Sequence, residues 1–68
     1  METRNILIGD DHSIVRLGLK FLIKEMLPFA TCVEAKDGDE IIKHVKNTQF
    51  DLIITDINIF KISPLSYI

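Results

Sequence analysis

A chain of 68 residues, 47% hydrophobic, 26% charged and with a formal net charge of −2, has room for one small domain, since domains usually run to roughly 100–150 residues. Its single cysteine, Cys32, excludes an internal disulfide, no Cys/His spacing suits a structural zinc, and the mild acidity leaves no electrostatic footprint for nucleic acid. The polar start at residues 1–5 and the shortness of every apolar run exclude a signal peptide and a membrane span of roughly 20 residues; a soluble, cytoplasmic chain with a core small for independent stability is expected.

In chain order, Ile6-Leu7-Ile8 stops at Gly9-Asp10-Asp11 and has the length and composition of a buried strand, β1 near 5–9. From Ser13 the period becomes helical, giving α1 near 13–26. Val15, Gly18, Leu19, Leu22 and Met26 fall on one side, and Ser13, Arg16, Lys20 and Lys24 form what is expected to be a solvated basic stripe on the other. Pro28 forbids continuation. Thr31 to Ala35 reads as β2, near 31–35, with Cys32 as a small buried apolar residue. Asp37 and Glu40 have the D-x-x-E form of a helix start, because an N-cap oxygen satisfies a free N–H and an acidic first turn suits the helix dipole. That places α2 near 38–47, with Ile41, Ile42 and Val45 as its apolar face and His44 on the polar one. Leu52-Ile53-Ile54-Thr55 makes a third apolar run, β3 near 51–55, which ends at Asp56.

Strands alternating with helices imply an α/β fold of parallel strands, and uninterrupted apolar strand interiors imply a sheet covered on both faces. In an open sheet of flavodoxin-like order 2-1-3, ligands sit beyond the carboxyl ends of the strands, at the switch point between β1 and β3. Asp10 and Asp11 end β1 and Asp56 ends β3, so that topology brings together three carboxylates about 45 residues apart in sequence. Carboxylates this close raise one another's pKa or hold a cation. Hard oxygens suit Mg²⁺, and a carboxylate beside such an ion can attack a phosphoryl group. An Asp after a strand is often only a cap or turn residue; two at one strand end and a third at its neighbour favour the cation site. His12 is within reach of these acids but reads as an exposed helix-start residue.

Asp10-Asp11 after an apolar strand, and Asp56 after Asp51-Leu52-Ile53-Ile54-Thr55, resemble the receiver domain of bacterial response regulators. The stretch from Asp10 to Leu19 (DDHSIVRLGL) is similar to the NarL/FixJ subfamily in particular, whose receivers usually precede a LuxR-type helix-turn-helix domain; Glu34 to Glu40 resembles the family's passage from β2 into α2. The resemblance implies an incomplete CheY-like βαβαβ fold of strand order 2-1-3 and a signalling protein rather than an enzyme. Asp56 would accept a phosphoryl group from a sensor histidine kinase and help to hold Mg²⁺. Asp11 would be the main ligand of the ion, Asp10 would support it, and Asn58 would offer its backbone carbonyl. Ile14, Val15 and Gly18 would lie at or near the kinase-facing side of α1, with a core role open for the last two. DNA would be reached only through an effector domain outside these 68 residues, and no membrane contact is implied.

The pattern departs from the family after Ile59, dividing the chain into residues 1–59 and an apolar tail, 60–68. Receivers usually have proline where this chain has Phe60, and the Ser/Thr and Lys that contact the phosphate would lie beyond Ile68. Weak Mg²⁺ binding and slow or undetectable phosphorylation are therefore expected of this chain. An exposed β3 edge, together with Ile57, Ile59, Phe60, Ile62, Leu65 and Ile68, leads to an expected homo-oligomer. Two alternatives stand beside the receiver: a non-catalytic, self-associating remnant, and a Mg²⁺-dependent aspartyl phosphohydrolase. The latter would want a second carboxylate in Asp56-Ile57-Asn58.

Overall fold

The computed structural model describes residues 4–56; the expectations for Asn58 and for the 60–68 tail lie outside the described residues. Five elements follow one another: β1 (Asn5–Gly9), α1 (Ser13–Met26), β2 (Thr31–Ala35), α2 (Gly38–Asn47) and β3 (Leu52–Thr55). The strands form one parallel sheet in the order β2-β1-β3, the strand order of a CheY-like α/β fold. Ile6 pairs with Cys32 on one side and Leu52 on the other, and Gly9 with Ala35 and Thr55, so all three strands end at one edge.

The central position of β1 follows from its composition. Ile6, Leu7 and Ile8 are at most 1% exposed, which only a strand flanked on both sides and covered on both faces achieves. Alternation splits the core in two. Ile6 and Ile8 pack with Ala30, Leu19, Ile23, Cys32 and Ile54 on the α1 face. Leu7 packs with Ala35, Ile41, Val33 and Phe50 on the α2 face. Gly9 is required by closeness rather than by backbone angle: a Cβ there would meet Ile41 Cδ1 at 2.5 Å and Thr55 Oγ1 at 3.1 Å.

The helix ends are built differently. Asp37 caps α2 by accepting the Glu40 N–H at 2.9 Å. Glu40 reaches back to the N–H of Lys36 at 2.8 Å, one residue earlier than the reciprocal capping box would place it. α1 starts at His12, whose side chain makes no cap hydrogen bond.

The buried faces of both helices differ from those expected. In α1, Leu19 and Ile23 pack on the sheet, while Val15, Leu22 and Met26 are exposed and Gly18 has no neighbour near its missing Cβ. A core role for Val15 and Gly18 is thereby excluded among the described residues. The basic stripe is not solvated as a whole. The Arg16 side chain is only 16% exposed and pairs with Glu34, Lys20 lies 3.6 Å from the same carboxylate, and Lys24 donates to the Ala30 carbonyl. α1 carries apolar residues on nearly every side, so hydrophobicity alone does not orient it; Leu19 and Ile23 take the sheet side together with Arg16, whose partner Glu34 lies there. In α2 only Ile41 of the expected trio is buried, Ile42 and Val45 are exposed, and His44 is half-buried. A helix over three strands covers its sheet along a narrow line, and Ile41 takes that line above Gly9.

Candidate functional site

The site is assembled by strand ends. Parallel pairing puts the residues after β1, β2 and β3 at one edge. Two backbone bonds then lock the end of β1 to its neighbours: Asp10 N–H donates to the Ala35 carbonyl at 3.0 Å, and Asp56 N–H donates to the Gly9 carbonyl at 3.2 Å. Asp10 and Asp56 are thus held side by side by the sheet itself. The close approach at Gly9, with Thr55 against it, keeps β1 and β3 tight immediately before both aspartates.

Asp10 is 8% exposed, a buried carboxylate in a very small domain. Its Oδ1 accepts the His12 backbone N–H at 2.8 Å and faces His12 Nδ1 at 2.9 Å. The same Nδ1 lies 2.8 Å from Asp11 Oδ1. One imidazole N–H is therefore shared between two carboxylates, which assigns the proton to Nδ1. The backbone N–H of His12 is the largest influence holding the Asp10 carboxyl below its ordinary value, followed by the His12 ring, against an opposing contribution from burial. The hydrogen bond to Asp10 is the largest influence raising the His12 imidazole above 6.5. The charges of Asp11 and Asp10 add to it, and the charge of Asp56 does so more weakly.

Asp10, Asp11 and His12 each offer a ligand atom within 4.8 Å of the others. Asp56 is at the same edge, near enough to act on His12, but outside that group of three. Asp10, Asp11 and Asp56 are thus brought to one place, while Asn58 lies outside the described residues. His12 has a larger part than a helix-start residue: it is the N-cap residue of α1, and its Nδ1 also bridges the carboxylates of Asp10 and Asp11. Its place immediately after Asp10-Asp11 was the available signal, because a turn two residues long folds the ring back onto both carboxylates.

The sequence matches the family described as response regulator receiver domain over residues 6–67. An uncharacterised response regulatory protein of Staphylococcus epidermidis is 42% identical over 53 residues, covering 76% of this chain and 21% of that protein. The chain thus spans about a fifth of the length of that curated relative. No solved structure matches. Among the described residues no helix is long and apolar enough to cross a membrane.

Proposed function

Since this chain belongs to the response regulator receiver domain family, we propose that it is a phosphoacceptor of two-component signalling in which Asp56 takes the phosphoryl group. The observation that carries this reading is the bond from Asp56 N–H to the Gly9 carbonyl, which seats the acceptor beside Asp10 and Asp11 at the carboxyl edge of the sheet. The donor in this reading is a phosphohistidine of a sensor histidine kinase. An Asp56 carboxylate oxygen bonds to phosphorus, the P–N bond breaks, and its electron pair returns to the imidazole of the kinase.

The donor set fits Mg²⁺. Asp10 and Asp11 supply hard carboxylate oxygens that converge on one point, both within 2.9 Å of the same His12 nitrogen. Asp11, Asp10, Asp56 and the Asn58 carbonyl would hold the ion; when bound, it neutralises charge on the transferred oxygens. This chain's residues set the geometry around it: Asp10 is fixed by Ala35 and His12, and Asp56 by Gly9.

The finer reading comes from the DDHSIVRLGL stretch. It points to the NarL/FixJ subfamily and to control of transcription through a LuxR-type domain elsewhere in the protein; a cytoplasmic setting and no enzymatic turnover of its own complete this reading. Ile14 is 78% exposed, and Val15 and Gly18 are open beside it, which supports a kinase-facing α1. Self-association belongs to the same reading. β3 is an edge strand among the described residues, with Leu52 and Ile53 exposed on opposite faces. Light scattering is expected to show a dimer or larger species, and a strict monomer refutes that part.

The test of the main reading is incubation of the chain with acetyl phosphate and Mg²⁺, followed by mass spectrometry. A slow, Mg²⁺-dependent gain of one phosphoryl group, labile to hydroxylamine and absent in Asp56→Asn, is expected. Retention of the label in Asp56→Asn overturns it, and labelling at the rate of an intact receiver overturns the expectation that transfer is slow.

A further inference from the structure

Arg16 is the least exposed cation among the side chains that pair with acids in the described residues, and its partners are unusual for a surface arginine. Its Nη1 donates to the main-chain carbonyl of Asp10 at 2.6 Å, and its Nε donates to Glu34 Oε1 at 3.0 Å. Glu34 adjoins Ala35, whose carbonyl accepts the Asp10 N–H. A closed circuit results: Asp10 to Ala35, Ala35 through the chain to Glu34, Glu34 to Arg16, and Arg16 back to Asp10. Asp10 is gripped at its N–H, its carbonyl and its carboxylate.

The carbonyl is the informative grip. Peptide planarity puts the Asp10 carbonyl and the Asp11 N–H in one rigid unit, so whatever fixes that carbonyl fixes the direction in which the Asp11 backbone leaves β1. The guanidinium suits this task, because its planar fork presents Nε and Nη1 at a set angle to two partners at once. A partly exposed Arg–Glu pair contributes little to stability by itself. Bracing a carbonyl that precedes a ligand residue is a different role, the kind by which outer groups tune a metal site.

We propose that Arg16, braced by Glu34, is a positioning residue for the acidic site. Through the Asp10 carbonyl it sets Asp10 and Asp11 for a divalent cation without contributing a ligand atom. The inference rests on the cation-site reading above, and the two are separable by experiment. Electrostatics alone makes the opposite prediction: deleting a positive charge beside an acidic cluster should tighten cation binding. Loss of positioning weakens it.

The experiment is a titration of the full chain with Mg²⁺ alone, followed through backbone amide resonances of the wild type and of Asp11→Ala, Arg16→Met, Arg16→Lys and Glu34→Gln. Arg16→Met should bind Mg²⁺ roughly 10-fold more weakly, at the lower end of what outer-shell changes usually cost. Arg16→Lys keeps the charge but loses the fork, and should also weaken binding. Glu34→Gln should weaken it too, and the Arg16→Met/Glu34→Gln double variant should bind no more weakly than Arg16→Met, since both act through one contact. Before any Mg²⁺ is added, the His12 amide resonance should move in the Arg16 variants, because its N–H donates to Asp10 Oδ1, while that of Ile53 stays in place. If wild type shows no Mg²⁺ response that Asp11→Ala removes, the cation-site reading fails and this inference with it. If wild type responds and Arg16→Met binds equally or more tightly, the positioning role alone is overturned. Should Arg16→Met not fold, Glu34→Gln decides: unchanged affinity there overturns the role.

Discussion

Replacing Gly9 by alanine tests whether the close approach of α2 to β1 is what holds the acidic edge together. The added Cβ would lie 2.5 Å from Ile41 Cδ1, 3.1 Å from Ile41 Cγ1 and 3.1 Å from Thr55 Oγ1. Carbon atoms in contact prefer about 3.5–4.0 Å, so the overlap with Cδ1 exceeds about 1 Å. Ile41 is 5% exposed and packs on Leu7 and Ala35, which leaves its side chain little room to swing away. Overpacking of this kind costs about 1–3 kcal/mol. The backbone angle at Gly9 suits alanine, so the smaller unfolded-state entropy of alanine returns about 0.4–1 kcal/mol. A net loss of about 1–2 kcal/mol is expected, a large part of the stability of so small a domain. Urea unfolding followed by far-ultraviolet circular dichroism measures it. Ile41→Val removes Cδ1, so Gly9→Ala should cost much less in that background, giving a clear coupling energy in the double-mutant cycle. Gly9→Ala as stable as wild type, or equally costly in both backgrounds, would refute the reasoning.

His12 should titrate above 6.5, with Asp10→Asn lowering its midpoint more than Asp11→Asn, as imidazole proton resonances would report. Since its folded value is raised, its stabilising contribution is complete below 6.5 and fades as pH rises through the folded value, so urea midpoints should fall over that window and the slope should vanish in His12→Ala. Asp10 works in the other direction: its lowered value gives stability that is present above 3.8 and lost as pH falls through the folded value, a loss that Asp10→Asn should remove from the acid limb of the same curve. Asp37→Ala deprives the Glu40 N–H of its acceptor and should cost about 1 kcal/mol in urea unfolding, with Asp37→Asn costing less; equal losses would point away from capping. Leu7→Ala empties a fully buried position in the middle strand and should cost about 2–5 kcal/mol, enough to unfold the chain by circular dichroism, whereas the exposed Leu17→Ala should change little.

The local pattern of this chain carried its architecture. Three short apolar runs, each stopped by polar residues, and two helical periods between them place the five elements within a residue of where they lie; burial on both faces, which unbroken apolar stretches serve, is realised in β1, whereas Leu52 and Ile53 of β3 stay exposed. The three aspartates were legible for the same reason: once the strand order is 2-1-3, the residues just past β1 and β3 must share an edge. Two features were decided only by tertiary contacts. α1 is apolar around most of its circumference, so its period could not say which line faces the sheet; in the packed fold that line carries Leu19 and Ile23, with Arg16 reaching Glu34 on β2 and the Asp10 carbonyl. His12 likewise reads as a helix start until the fold closes Asp10 and Asp11 around its ring. Hydrophobic periodicity records where chain is buried along one axis. Which cation meets which acid depends on distances between elements, and those exist only after the elements have packed.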